Sequence, residues 1–89
     1  MAYKVVIADD ALEFLGGLPP KIQRQIASKI DKLVIEPRPA KCKKIHGREN
    51  TYRIRSGDYC IVYEIHDDKI LVLVIRIRHR KDAYKGLVN

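Results

Sequence analysis

The residues best suited to chemistry in this sequence are arginines in its second half. They alternate along one predicted strand and recur in the last one, where a histidine and a lysine stand among them. The set comprises Arg53, Arg55, Arg76, Arg78, His79, Arg80 and Lys81. Because guanidinium groups stay charged near neutral pH and bind phosphate oxygens in pairs, this pattern predicts contact with nucleic acid. A solvent-exposed face whose arginines form salt bridges with neighbouring carboxylates would give the same pattern.

His79 is the group in this cluster that could serve as an acid or a base. The positive residues around it disfavour its cationic form. The sequence has no His/His or Glu/His pair at recognisable spacing, no nucleotide-binding glycine loop and no hydrolase nucleophile motif. Cys42 and His46 are spaced like zinc ligands, but no second pair follows them, so we expect no metal site.

Positive charge is concentrated in the second part of the chain. The formal net charge is +7, with six Lys/Arg against five Asp/Glu in residues 1–40 and twelve against six in residues 41–89. Lys43, Lys44 and Arg48 lie in a basic connection, and we predict that they extend the nucleic-acid surface. Such a basic half attracts anionic partners over long range. An acidic protein partner would suit this charge as well.

The length of 89 residues predicts a single domain, residues 1–89. The longest apolar run, residues 70–75, is far shorter than the roughly 20 residues that span a bilayer, and no signal peptide is visible. Cys42 and Cys60 are expected to be free thiols. These features predict a soluble protein of the cytoplasm.

Two helices are predicted in the first 40 residues. A strand over residues 3–8 precedes them, and the first helix covers residues 11–15, with Asp9 and Asp10 as N-cap candidates. The second helix begins near Pro20, where proline is tolerated. Its apolar stripe comprises Ile22, Ile26, Ile30 and Leu33. We expect this stripe to pack against a sheet rather than to form a dimer face, and the lysines beside it to face solvent.

Three strands are predicted after residue 50, with turns at Gly57-Asp58 and Asp67-Asp68. Because side chains alternate across a strand, Arg53 and Arg55 share one face. A two-residue turn that starts with Gly57 would place Arg55 opposite Cys60. The order βααβββ, with a short C-terminal helix, predicts an α+β fold: a small antiparallel sheet with an N-terminal helical hairpin on one face.

The second half of the chain resembles the toxins of the RelE/ParE superfamily. The resemblance is carried by Lys44-Ile45-His46-Gly47, by residues 52–59, by residues 61–65 and by His79-Arg80-Lys81-Asp82. It implies a toxin of a type II toxin–antitoxin system that cleaves messenger RNA in the ribosomal A site. In that reaction the ribose 2′-oxygen attacks the adjacent phosphate, with no metal or organic cofactor.

The resemblance also implies roles for particular residues. Arg53 and Arg55 would bind the phosphate and stabilise its developing charge, and Arg80 would act similarly after the last strand. Tyr84 matches a tyrosine that stacks on the substrate base or orients the 2′-hydroxyl. Lys44 matches a basic residue of the preceding loop.

Two positions depart from the family pattern. Cys60 stands where an arginine is usual on the middle strand, which predicts reduced activity and leaves the general acid unassigned. Arg78 stands where a glycine often precedes the His-Arg pair. Arg78 or His79 compensating for Cys60 is therefore a hypothesis.

The partners implied by the resemblance are a cognate antitoxin, the ribosomal A site and messenger RNA, with no membrane. Operator DNA is a further ligand that a toxin–antitoxin complex could bind. Two alternatives stay open on the same fold: a ParE-like inhibitor of DNA gyrase, and a catalytically weak binding module. Fold alone does not decide among them.

Overall fold

In a computed structural model that describes residues 2–83, two helices pack on a five-stranded sheet. The strands are β1 (Lys4–Ile7), β2 (Lys43–Lys44), β3 (Thr51–Ser56), β4 (Tyr59–His66) and β5 (Leu71–His79), and the helices are α1 (Asp9–Gly16) and α2 (Pro20–Lys32). Tyr84 and the predicted C-terminal helix lie outside the described residues. No helix within the described part of the chain has the length and apolar character needed to cross a bilayer.

The sheet has the strand order β1-β5-β4-β3-β2. The α+β class and the helical hairpin are confirmed, but the sheet is mixed because β1 pairs in parallel with β5, with Lys4 beside Leu71. The two-residue strand β2 is an addition to the predicted order, and it pairs with the start of β3. A parallel neighbour requires a crossover connection rather than a hairpin, and here the whole chain between β1 and β5 forms that connection.

The predicted N-cap of the first helix is wrong. Ala8 is the N-cap, no side chain caps the helix, and Asp9 and Asp10 lie in its first turn, where carboxylates suit the helix dipole. The strand leads directly into the helix, because the Ala8 N–H still donates to the Val74 carbonyl of β5 at 2.8 Å. The helix ends at Gly16, one residue beyond the predicted range.

The apolar stripe of α2 lies in the core, as predicted. Ile26 and Leu33 are fully buried, and Ile30 is 4% exposed. They pack with side chains of one sheet face, namely Ile54, Ile61, Tyr63, Ile65, Val72, Val74 and Ile77. Burying each such aliphatic side chain contributes about 1.5–3 kcal/mol, so this face fixes α2 against the sheet.

The hairpin between β3 and β4 has the predicted register. Gly57 takes a positive φ of 60°, as a glycine-first two-residue turn requires, and Arg55 lies opposite Cys60. The second turn is longer than predicted. A 3₁₀ turn over Asp67–Lys69 is followed by Ile70 at φ 50°, in a left-handed conformation that is rare for a β-branched residue.

Candidate nucleic-acid interface

The arginines of β3 and β5 lie in two rows across the sheet. In one row Arg53 pairs with Val62, which pairs with Arg76. Residues paired directly across strands share a face, so this row lies on the face turned away from the helices. Neighbouring strands are about 4.8 Å apart, so the two arginines of a row are separated by about 10 Å at the backbone.

The second row places Arg55 and Arg78 on either side of Cys60. Cys60 is 1% exposed, and its small side chain occupies the middle position. The two rows together, Arg53–Val62–Arg76 and Arg55–Cys60–Arg78, are called the arginine face below. The predictions that Arg53 and Arg55 share one face and that Arg55 lies opposite Cys60 are confirmed.

The short strand β2 adds positive charge to the first row. Lys43 is exposed and lies directly opposite Arg53. Like charges placed opposite one another across a sheet destabilise it, so this pairing gains stability when an anion binds between them.

A groove runs between α2 and the β3 edge, with a volume of about 550 Å³. Lys29, Lys32, Lys41, Lys43, Arg53 and Arg55 supply its cations, and Leu33, Pro39, Ala40 and Ile54 its apolar lining. A second depression adjoins it through Lys29 and Arg55, and adds Lys21 and Arg24. Within residues 2–83, neither lining contains a carboxylate. We call the two depressions together the basic groove.

The basic groove was missed because the α2 cations were expected to face solvent only. Lys21, Arg24, Lys29 and Lys32 recur at helical spacing, so they form a second stripe beside the apolar one. When the apolar stripe of α2 faces the sheet, this second stripe lies beside the edge of the sheet that β3 forms. The periodicity that located the core therefore also contained the signal for the groove.

Arg78 is turned toward α1. Its Nη2 donates to both carboxylate oxygens of Asp10, at 2.8 and 2.9 Å, and its Nη1 donates to the Ile77 carbonyl at 2.7 Å. The guanidinium carbon lies 5.0 Å from the centre of the Phe14 ring. The hydrogen bond from Arg78 lowers the pKa of the Asp10 carboxyl below its ordinary value.

The residues after β5 lie beside the β3–β4 turn. The Arg80 N–H donates to the Asp58 carbonyl at 2.8 Å, and the Arg80 side chain is exposed. The His79 ring meets Tyr59 edge-on at 5.7 Å, and its Nδ1 accepts the Lys81 N–H at 3.3 Å. His79 thus has a structural partner on each side.

The three residues of the basic connection that were predicted to extend the nucleic-acid surface lie in two separate places. Lys43 lines the groove, whereas Lys44 and Arg48 line a separate depression that also contains His46 and Glu49. The structure therefore does not bring Lys44 and Arg48 to the arginine face. Among residues 2–83 no group of three or more His, Cys, Asp and Glu side chains could hold a metal ion.

A cluster around Arg38 supports the wall of the groove. Arg38 donates to both Asp67 oxygens, at 3.2 and 2.7 Å, and to the Tyr52 hydroxyl at 3.3 Å. The Tyr3 hydroxyl donates to the same carboxylate at 2.7 Å. These hydrogen bonds, from Arg38 first, lower the pKa of Asp67 to about 2. Residue-by-residue reading missed this cluster because its members are distant in sequence.

The buried Tyr63 holds the segment that follows α2 against the sheet. Its hydroxyl donates to the carbonyl of buried Pro37 at 2.8 Å, and its ring stacks with Tyr52 at 6.1 Å. Burial raises the pKa of the Tyr63 hydroxyl well above its ordinary value, so it remains a donor. The segment from Pro37 onward is thereby fixed where it lines the groove.

Comparison with known proteins gives consistent family matches. A model for the ParE toxin of the type II toxin–antitoxin system parDE matches residues 5–84. The mRNA interferase toxin RelE of Escherichia coli K12 is 30% identical over 93 residues, covering 100% of this chain and 97% of the relative.

Solved structures agree with the sequence matches. The archaeal RelE–RelB complex from Pyrococcus horikoshii aligns with a TM-score of 0.81 at 27% identity, covering 93% of this chain and 100% of that one. The intact Escherichia coli RelBE toxin–antitoxin complex aligns with a TM-score of 0.76 at 30% identity, covering 88% and 96%. The chain belongs to the RelE/ParE superfamily of type II toxin–antitoxin toxins.

Proposed function

We propose that this protein is the toxin of a type II toxin–antitoxin system and an endoribonuclease that cleaves messenger RNA in the ribosomal A site. The observation that carries the proposal is the arginine face opening onto a basic groove. Fixed cations at this density match the charge of an RNA backbone. The similarity to RelE proteins, one of them named an mRNA interferase, supports the same activity.

In the proposed reaction the 2′-oxygen forms a bond to the adjacent phosphorus while the bond from phosphorus to the 5′-oxygen breaks. The 2′-hydroxyl loses its proton and the leaving 5′-oxygen gains one, which yields a cyclic phosphate and a 5′-hydroxyl. Arg53 and Arg55 would bind the phosphate oxygens, and Arg80 would approach from the end of the sheet. Tyr84 would stack on the base or orient the 2′-hydroxyl. Most of the catalysis would come from positioning and electrostatic stabilisation.

The basic groove would carry the RNA strand on either side of the reacting phosphate. Lys29, Lys32 and Lys43 would contact neighbouring phosphates, which adds affinity without sequence preference. The apolar lining of the groove gives unpaired bases a surface on which to pack. A single strand offers such bases, so the groove favours single-stranded RNA over a duplex.

The proposed partners follow from the same surface. A cognate antitoxin would bind and inhibit this chain, as both solved relatives described above are complexes of RelE with RelB. The ribosome would present the messenger RNA, which implies a cytoplasmic site of action. Operator DNA is proposed as a ligand of the toxin–antitoxin complex rather than of the toxin alone.

Primer extension on a defined messenger RNA in a purified translation system tests the activity. We expect discrete breaks within the A-site codon that require both ribosomes and this protein. An Arg53→Ala/Arg55→Ala variant should lose the breaks, whereas Lys4→Ala, on the opposite edge of the sheet, should keep them. Intact messenger RNA with a folded sample would overturn the proposal. A binding module or an inhibitor of DNA gyrase would then remain.

The second candidate is inhibition of DNA gyrase. Two observations favour it: the matching family model is that of the ParE toxin, and Cys60 replaces an arginine that is usual in RelE proteins. A supercoiling assay with purified gyrase tests it. Loss of supercoiling at stoichiometric protein, together with intact messenger RNA in the translation assay, would establish this candidate over the first.

A further inference from the structure

We propose that Asp10 is a positioning residue that holds Arg78 toward α1, and that an RNA phosphate displaces Asp10 and draws Arg78 onto the arginine face. The inference rests on the proposed function, because it concerns how the same surface binds RNA. It goes beyond the hypothesis that Arg78 compensates for Cys60, because it gives Asp10 a role that the family resemblance does not assign. Its physical basis is the register of three strands and the partners of one guanidinium.

The register gives Arg78 access to the phosphate position. Arg55 and Arg78 flank Cys60 on adjacent strands, about 4.8 Å away on each side. The thiol in the middle is short and carries no positive charge. Cys60 itself is 1% exposed, so the phosphate would lie between the ends of the two flanking arginines, one from β3 and the other from β5. Arg78 can supply from the neighbouring strand the charge that Cys60 lacks.

The structure shows that guanidinium bound to α1. Both oxygens of Asp10 accept hydrogen bonds from it, and the Phe14 ring lies against it. A carboxylate and a phosphodiester both carry one negative charge on two oxygens, so they compete for the same guanidinium. The Asp10 side chain is 57% exposed, which leaves the ion pair open to water and to a competing anion.

Releasing Arg78 would leave Asp10 in a favourable position. Asp10 is the second residue of α1, where the helix dipole stabilises a carboxylate, and water can solvate its exposed oxygens. No buried charge would lose its only partner. Exchange therefore costs less free energy here than at a buried ion pair, where removing one partner leaves the other charge buried and unpaired.

Asp9 provides a matched control. It lies beside Asp10 in the same helical turn and is exposed, and it forms no side-chain hydrogen bond or ion pair among residues 2–83. Replacing either aspartate with asparagine removes one negative charge from the same region. Only the Asp10→Asn change also weakens the hold on Arg78.

The experiment measures binding of a fluorescein-labelled single-stranded RNA dodecamer by anisotropy. Asp10→Asn should tighten binding by at least about twofold more than Asp9→Asn, which is the lower end of the coupling seen between contacting residues. In an Arg78→Ala background, the two asparagine variants should bind RNA equally. Circular dichroism checks that each variant is folded.

A second readout follows the guanidinium itself. The Arg78 Nε–H resonance should shift when RNA is added to the parent protein, and Asp10→Asn should shift it in the same direction without RNA. A purely structural ion pair would leave this resonance unchanged by RNA. This measurement uses the parent protein, so it does not depend on the folding of any variant.

Three results would overturn the inference. Equal changes in RNA affinity from Asp9→Asn and Asp10→Asn would mean that Asp10 acts only through its negative charge and not through Arg78. Weaker binding by Asp10→Asn would mean that the ion pair assists RNA binding. An Arg78 Nε–H resonance that does not shift when RNA binds would exclude the exchange of Asp10 for a phosphate. If the parent protein binds no RNA at all, the proposed substrate fails together with the inference, and this differs from the first three results.

Discussion

The basic groove makes a quantitative prediction about salt. Lys29 and Lys32 line it next to the β3 arginines, on the side of α2 that does not face the core. We consider the double variant Lys29→Ala/Lys32→Ala. Alanine has the highest helix propensity, so the helix itself should tolerate both changes, apart from a small loss of charge at its C-terminal end.

The magnitude follows from counterion release. Each phosphate neutralised on a single strand contributes about 0.7 to the slope of log K against log salt concentration. Losing two contacts should therefore lower the slope by about 1.4. Between about 50 and 200 mM salt, the parent affinity should fall roughly sevenfold more than that of the variant. At high salt the two proteins should converge.

The assay is RNA anisotropy across a series of KCl concentrations. Lys4→Ala/Lys69→Ala is the matched control, since it removes two lysines from β1 and from the 3₁₀ turn, both outside the groove linings. Its slope should equal that of the parent. If all three folded proteins share one slope, the phosphates do not follow the groove, and the assignment of Lys29 and Lys32 is refuted.

Three further predictions concern single residues. Tyr63→Phe should cost about 1–3 kcal/mol in free energy of unfolding, because the buried Pro37 carbonyl loses its donor; a urea-unfolding difference below about 0.5 kcal/mol would contradict this. Arg80→Ala should reduce messenger RNA cleavage with little change in urea midpoint, since its side chain is exposed, and near-normal turnover would contradict its role. Asp67 has its pKa lowered to about 2 by Arg38, so its stabilising contribution is present above about pH 4 and is lost as pH falls through 2. The urea midpoint of Asp67→Asn should therefore fall less steeply over this range than that of the parent, and parallel curves would exclude the linkage.

Local signals in the sequence were sufficient for the hairpin that carries the β3 arginines. Gly57 fixes a two-residue turn, and alternation then determines which side chains share a face. The apolar stripe of α2 was equally informative, because helical periodicity identifies a buried face without any knowledge of its partner. These elements depend on residues close together in the chain.

Long-range contacts could not be predicted in the same way. Arg78 binds Asp10 across 68 residues, and Arg38 binds Asp67 across 29. Nothing in the local pattern of either arginine distinguishes a carboxylate partner from solvent or phosphate. The parallel pairing of β1 belongs to the same class, since strand direction depends on the path of the whole connection.

That parallel pairing also sets the order in which a nascent chain can fold. β1 is synthesised before every other strand of the sheet, and its partner β5 is the last of these strands to be made. At about 5–20 residues per second, several seconds separate the two on the ribosome. Both rows of the arginine face require β5, so a chain arrested before residue 71 should remain sensitive to protease and carry no assembled site. The arginine face therefore cannot assemble until β5 has emerged from the ribosome.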